Sequence, residues 1–208
     1  MSEVVKKVAK FVLTEWREFL EAYAVVSRYM AVWADGQTVT ANNLSVDRVA
    51  LVRIEHRRPT PLMEGLPPKT AVCLDLRSLM RGAVEGELCE FENIIPRFTP
   101  TARARLGERL SFWITEAERV QASHAVFEAR EGRLRFYALG DCEAECWVED
   151  VYTAEGEANA KYPVEYLKAA RKARRPVAML EWATQKPIHI WWEAPRTVFH
   201  LYVAPTVD

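Results

Sequence analysis

The sequence predicts an α+β protein built as two similar halves. Apolar residues recur at helical spacing in some stretches and alternate at strand spacing in others. These stretches come twice in one order: helix, strands, short helix, strands. The two copies are also in register. Phe19, Leu20 and Val26 lie 94 positions before Trp113, Ile114 and Val120, and Ala31-Val-Trp33 lies 94 before Ala125-Val-Phe127.

In the first half a helix is expected from Glu15 to about Arg28, because Phe19, Leu20, Tyr23 and Val26 share one face. Ala31–Trp33 reads as a strand and Asp35-Gly36 as a turn. A polar, strand-like stretch runs to Asn43, and Val49–Glu55 is a further strand. Pro59–Pro68 is a proline-rich loop. Leu74-Asp-Leu-Arg-Ser-Leu-Met-Arg81 reads as a strand end entering a short helix, followed by the strand Glu87–Glu92. The segment Pro96-Arg-Phe-Thr-Pro100 stops both helix and strand, since proline lacks an amide donor and fixes φ. The domain boundary is placed there, giving domains 1–97 and 98–208.

The second half repeats the plan. Glu108–Gln121 reads as a helix with Leu110, Trp113, Ile114, Ala117 and Val120 on one face. Ala125–Phe127, Arg133–Leu139 and Cys142–Glu149 read as strands, with a turn at Glu131-Gly132. Pro163 opens a second helix, whose Val164, Leu167 and Ala170 face the core. Three strands follow, Val177–Ala183, Pro187–Glu193 and Thr197–Ala204, the last two joined by a turn at Ala194-Pro-Arg196. Two layers of this kind, sheet with helices on one side, fit two compact α+β domains.

Composition narrows the function. The 208 residues are half apolar, with 28 basic and 29 acidic residues, for a net charge of −1. Contact with nucleic acid must therefore come from charge gathered on one face. No run of 18 apolar residues predicts a membrane span, and Met1–Lys10 has no apolar leader core, so an intracellular protein is expected. Cys73, Cys89, Cys142 and Cys146 are expected to be reduced. Cys142 and Cys146 read as small core-facing residues of an alternating strand, with no second pair at zinc spacing. Sparse Asn and Gln hint at a thermophile.

No catalytic constellation emerges, and the protein is expected not to be an enzyme. His56, His124, His189 and His200 are dispersed and read as structural or surface residues. Glycine-rich phosphate loops, nucleophile elbows and zinc helices are absent, so no metal or cofactor is expected. The strongest charge signal is Lys168, Arg171, Lys172 and Arg175, at i, i+3, i+4 and i+7 on one helix face, with Arg174 beside them. Such a face can neutralise phosphates without reading sequence. It also fits a solvated helix whose C-terminal cations suit the helix dipole. Arg77 and Arg81 share a face of the first short helix. Arg119 lies on the long second-half helix among Glu108, Glu116 and Glu118.

Four segments resemble the PCNA-type DNA sliding clamps. They are Tyr202-Val-Ala-Pro-Thr-Val-Asp208 at the C-terminus, Ala160-Lys-Tyr-Pro-Val-Glu-Tyr-Leu-Lys168 entering the last helix, Lys186-Pro-Ile-His-Ile-Trp-Trp192 before the final hairpin, and the stretch from Gly36 to Val52. The resemblance implies two clamp domains per subunit, with antiparallel sheets on the outside and two helices each on the inner face. It implies a homotrimeric or heterotrimeric ring around double-stranded DNA. Lys168, Arg171, Lys172, Arg175, Arg77, Arg81 and Arg119 would face the DNA. DNA polymerase, a clamp loader and other clients would dock on a pocket drawn from Leu44, Val49, Pro187, Tyr202, Val203, Ala204 and Pro205. The place would be the cytoplasm or nucleoid of a prokaryote, or the nucleus of a eukaryote.

The chain departs from that family by being short between Glu87 and Thr99, where closing strands of the first domain and a long connector belong. Its near-neutral charge and the weak basic bias of its first helix also differ. Two alternatives therefore stand beside the clamp subunit: a clamp-like accessory scaffold that closes no ring on DNA, and an unrelated α+β enzyme.

Overall fold

Ser2 opens the first helix, α1 (Glu3–Glu15), its hydroxyl accepting from the Val5 N–H at 3.4 Å. Val5, Val8, Ala9 and Val12 follow at i, i+3, i+4 and i+7 and are buried. This helix is absent from the expectation above, which starts the first helix at Glu15. The chain instead breaks at Trp16 (φ −118°, ψ 7°), makes a 3-10 turn over Arg17–Phe19 and resumes as α2 (Leu20–Val26). An unbroken helix over both pieces would run about 36 Å, well past the about 20 Å of a six-residue strand. The break, with the Trp16 indole fully buried in it, keeps both pieces on the sheet.

The computed structural model describes residues 2–58, 60–140, 143–148, 154–173, 175 and 177–206, with backbone alone at 139 and 143–148. Cys142, Arg174 and the closing Val207-Asp208 lie outside the described residues, as does the Cys146 side chain. The chain divides into two compact units: Met1–Ile95 with Glu193–Phe199, and Pro96–Trp192 with His200–Asp208.

In the first unit β1 (Tyr29–Ala34), β2 (Val39–Leu44), β3 (Ala50–His56), β4 (Thr70–Asp75) and, after α3 (Leu76–Met80), β5 (Gly86–Glu90) form an antiparallel sheet in the order β3-β2-β1-β4-β5. α1 packs on β4 and β5, and α2 on β3. Phe19 stacks on Phe199 with ring centres 5.2 Å apart, both fully buried.

The second unit holds β6 (Ala102–Leu106), α4 (Arg109–Arg119), β7 (His124–Arg130), β8 (Arg133–Leu139), β9 (Glu143–Val148), β10 (Glu155–Gly156), β11 (Ala158–Pro163), α5 (Val164–Lys172), β12 (Ala178–Trp182), β13 (Ile188–Glu193) and the second part of β14 (Thr197–Val203). One sheet runs β11-β7-β8-β9; β10, β6, β12, β13 and β14 neighbour one another in a second. Trp113 stacks on Phe136 at 4.9 Å, and Phe127 meets Phe136, Tyr162 and Trp182 edge-on. β6 was not foreseen. Its Ala-Arg-Ala-Arg-Leu alternation, with Ala102, Ala104 and Leu106 buried, is a legible strand signal. The Ala194-Pro-Arg196 turn closes as expected, Ala194 N–H to Thr197 O at 2.8 Å.

The duplication is structural. The order β3-β2-β1-β4 in the first unit reappears as β9-β8-β7-β11 in the second. Phe19 and Trp113, 94 apart, are both buried. The offset falls to 88 at the second helices, which open at Leu76 and Val164. The units differ at their ends. The second begins on a strand, β6, which pairs with β12. In the first, α1 stands before the 3-10 turn and α2, and β5 pairs with β4.

The expectation of reduced thiols is overturned for one pair. Cys73 on β4 and Cys89 on β5 are joined by a disulfide, Cα to Cα 6.1 Å. Pairing sets Cys89 opposite Ala71, two residues from Cys73, so both cysteines emerge on one face of neighbouring strands. Such bonds are uncommon in mesophilic cytosol and frequent inside hyperthermophiles.

Candidate nucleic-acid and partner interface

Pro163 fixes the entry to α5 with φ −67°, and Val164, Leu167, Ala169 and Ala170 seat the helix on its own unit, beside α4. Lys168, Arg171 and Lys172 are thereby left partly exposed. Lys168 and Arg171 both pair with one acid. Glu118 of α4 holds the Lys168 ammonium at 3.4 Å and the Arg171 guanidinium in direct contact. Arg119 gives two bonds, from Nε and Nη2, to one carboxylate oxygen of Glu116, at 2.9 and 2.6 Å. Arg175 is partly buried beyond the end of α5. On the first unit, Arg77 and Arg81 are exposed on α3.

The α3 start is firmly built. The Asp75 carboxylate accepts from the Ser78 N–H at 3.0 Å and from Arg28 Nε at 2.7 Å. The Ser78 amide first, and Arg28 second, hold the Asp75 carboxyl below the usual carboxylate range; Asp75 in turn raises Arg28.

Of the residues assigned to a client pocket, Leu44 and Val49 belong to the first unit and Pro187, Tyr202, Val203, Ala204 and Pro205 to the second. Leu44 lines a cavity of about 210 Å³ with Ala31, Leu51, Phe91 and Ile94. In the second unit Tyr202 stacks on His189 at 4.2 Å and 4°, Val203 is fully buried, and Pro187, Ala204 and Pro205 are half-buried.

Two constellations escaped the sequence reading. In the first unit the Phe91–Ile94 segment is tied to the sheet. Phe91 stacks on Trp33 at 4.2 Å, Arg53 gives a 2.6 Å bond to Asn93 Oδ1, and Asn42 Nδ2 reaches Ile94 O at 3.1 Å. In the second unit Glu181, His189 and His200 form a chain, with Glu181 Oε1 to His189 Nδ1 at 3.0 Å and His189 Nε2 to His200 Nδ1 at 2.9 Å. Burial pulls His189 below its ordinary value, against the opposing pull of Glu181. Strand alternation places His189 and Trp191, and His200 and Tyr202, on common faces. The cross-strand partners depend on pairing that sequence spacing does not specify.

Among the described residues no group of three or more His, Cys, Asp or Glu side chains could hold a metal ion, and no helix is long and apolar enough to cross a membrane.

No protein-family model matches the sequence, and no curated protein matches it significantly. Solved structures do match the fold. The chain is similar to a structure of the C-terminal region of FEN-1 bound to A. fulgidus PCNA, at TM-score 0.73 and 14% identity, covering 92% of this chain and 95% of the other. It is similar to the PCNA2-PCNA3 complex from Sulfolobus tokodaii, at TM-score 0.73 and 13% identity, covering 93% and 96%. A third match is proliferating cellular nuclear antigen from Entamoeba histolytica, at TM-score 0.67 and 11% identity, covering 92% and 95%. At these identities the likeness speaks for architecture. Together with the duplicated β3-β2-β1-β4 and β9-β8-β7-β11 order, it shows that this chain has the clamp fold of PCNA.

Proposed function

We propose that this chain is a non-enzymatic subunit of a DNA sliding clamp, holding double-stranded DNA without regard to sequence and docking replication and repair proteins, among them a polymerase and a clamp loader. The observation that carries this reading is the duplicated clamp fold over more than nine-tenths of the chain. The α5 cations and the exposed Arg77 and Arg81 supply phosphate-neutralising charge. Arg175, just beyond α5, belongs to the same basic stretch, and Lys168 and Arg171 act net of Glu118. The similar structures include the PCNA2-PCNA3 complex and PCNA bound to the C-terminal region of FEN-1, which is why a ring of more than one chain and a docked client are the partners to seek. The proposed place is intracellular, with the DNA.

A second reading is a clamp-like scaffold that closes no ring on DNA. The pairing of Lys168, Arg171 and Arg119 with glutamates favours it, as does the ending of the first unit's sheet at β5. Retention on plasmid separates the two. A topological clamp, loaded with its partner subunits, stays on closed circular DNA and is lost on linearisation. Release that is indifferent to DNA ends speaks for the scaffold, and retention that ignores both linearisation and charge reversal at Lys168, Arg171 and Lys172 argues against a DNA-facing α5.

A further inference from the structure

We propose that Cys73 and Cys89 form a reversible dithiol–disulfide site that latches the Phe91–Ile94 segment, so that reduction frees one wall of the Leu44 cavity and weakens the docking of a client peptide there. The latch belongs to the first unit alone. Its effect on docking rests on the clamp reading above.

Geometry ties the bond to the cavity. Cys73 lines the space of about 210 Å³ together with Ala31, Leu44, Leu51, Phe91 and Ile94. Both cysteines and Phe91 pack against Ala31, Trp33 and Ala71. Phe91 follows Cys89 by two positions, so a fixed Cys89 sets where the Phe91 ring meets Trp33. The Arg53–Asn93 and Asn42–Ile94 bonds then carry the segment along the cavity. β5 itself is thinly anchored. Gly86, Glu87, Leu88 and Glu90 are exposed, and Cys89 alone of its five residues is partly buried. Burial adds little to its hold, which leaves the ladder with β4 and the disulfide. Segments with few buried apolar contacts open most readily. Loss of the covalent tie therefore loosens β5 and the segment that continues it.

The direction of the effect follows from order. A peptide anchor gains most from a cavity whose walls already stand, because a freed wall must be ordered again on docking. The oxidised form is the docking form.

Both cysteines are half-exposed and open to a dithiol reductant. One thiolate of the dithiol attacks a sulfur of the pair; the Cys73–Cys89 bond breaks and a mixed disulfide forms. The second thiol of the reductant displaces that sulfur, and the reductant leaves as its own disulfide. Two electrons pass to the protein, and the two hydrogens of the dithiol end on Cys73 and Cys89. An oxidised dithiol reverses each step.

The test equilibrates the full chain in graded mixtures of reduced and oxidised dithiothreitol. Alkylation traps the thiols, and mass mapping reads Cys73 and Cys89. The docking probe is a peptide of the FEN-1 C-terminal region, the segment bound to PCNA in one of the similar structures. The oxidised form binds it about tenfold or more tightly than the reduced form. By reciprocity, saturating peptide shifts the Cys73–Cys89 midpoint by about 30 mV or more in favour of the disulfide. Amide exchange at Phe91–Ile94 quickens on reduction and slows on reoxidation, while an unchanged far-ultraviolet circular dichroism spectrum shows the chain still folded. Phe91→Ala keeps the bond but loses the Trp33 stack, so it weakens docking of the oxidised form and narrows the gap between the two redox states. A bond that dithiothreitol does not open in the folded chain, exchange at Phe91–Ile94 that ignores its state, or equal docking in both states overturns the proposal. A peptide that docks in neither state, with exchange still following the bond, sinks the docking reading while the latch stands.

Discussion

The carboxylate of Glu118 on α4 grips the guanidinium of Arg171 on α5 while also reaching Lys168. A helix face that reads in sequence as several free cations is thus partly neutralised from the neighbouring helix. If α5 meets phosphate, Glu118→Gln releases two cations. DNA affinity should rise, and the slope of log affinity against log salt should steepen by roughly 1 to 2 for duplex DNA. Fluorescence anisotropy across a salt series reads both. Arg171→Glu should do the reverse; an unchanged slope in both variants removes α5 from the DNA surface.

The Cys73–Cys89 bond closes a 16-residue separation at the edge of the first unit. Its removal by Cys73→Ser or by reductant should cost about 2–4 kcal/mol of stability. The loss should be local first. Amide exchange at Gly86–Glu90 should quicken more than at Val39–Leu44. Uniform exchange, or no fall in the unfolding midpoint, contradicts it.

Acidification should weaken the fold. Burial lowers the folded-state pKa of both His189 and His56 from the ordinary 6.5, with Glu181 and Glu15 opposing it less strongly. The unfolded chain therefore binds protons more readily than the folded one. The stability these imidazoles lend is complete above about pH 6.5 and is lost as pH falls through their depressed folded values. Thermal melts at pH 7 and pH 5 should show a lower midpoint at pH 5. His189→Gln should flatten the difference, and a midpoint that rises on acidification would refute the assignment.

Phe19 and Trp113 are equivalents in the repeat, each fully buried against an aromatic partner, Phe199 and Phe136. Replacement of either by Ala should cost about 3–5 kcal/mol. Denaturant unfolding followed by exchange in each unit should place the Phe19 loss in the first and the Trp113 loss in the second.

A Cβ on Gly86 would lie 2.7 Å from the Cys73 carbonyl oxygen and 2.8 Å from Leu74 Cδ2. Gly86→Ala should destabilise β5 by about 1–3 kcal/mol, whereas Gly36→Ala meets no atom within 4 Å and is limited by its φ of 89° alone. Melting of the two variants side by side checks this.

Features that repeat locally can be read along the chain. Helical spacing at Leu110, Trp113, Ile114 and Ala117, the turns at Asp35-Gly36 and Ala194–Arg196, and the 94-residue register were all legible, because each depends on neighbours a few positions apart or on comparison of two such patterns. The break at Trp16 was not legible, since Phe19 and Tyr23 continue the apolar face of α1 and only the length of the sheet beneath stops it. The Cys73–Cys89 bond awaited the register of β4 with β5, which no spacing of cysteines specifies. The Glu118 clasp joins residues 50 and 53 positions apart on different helices. These features come from packing, because charge pairing, cross-strand bonding and helix length are properties of elements already in contact, and a one-dimensional pattern records the elements but not their contacts.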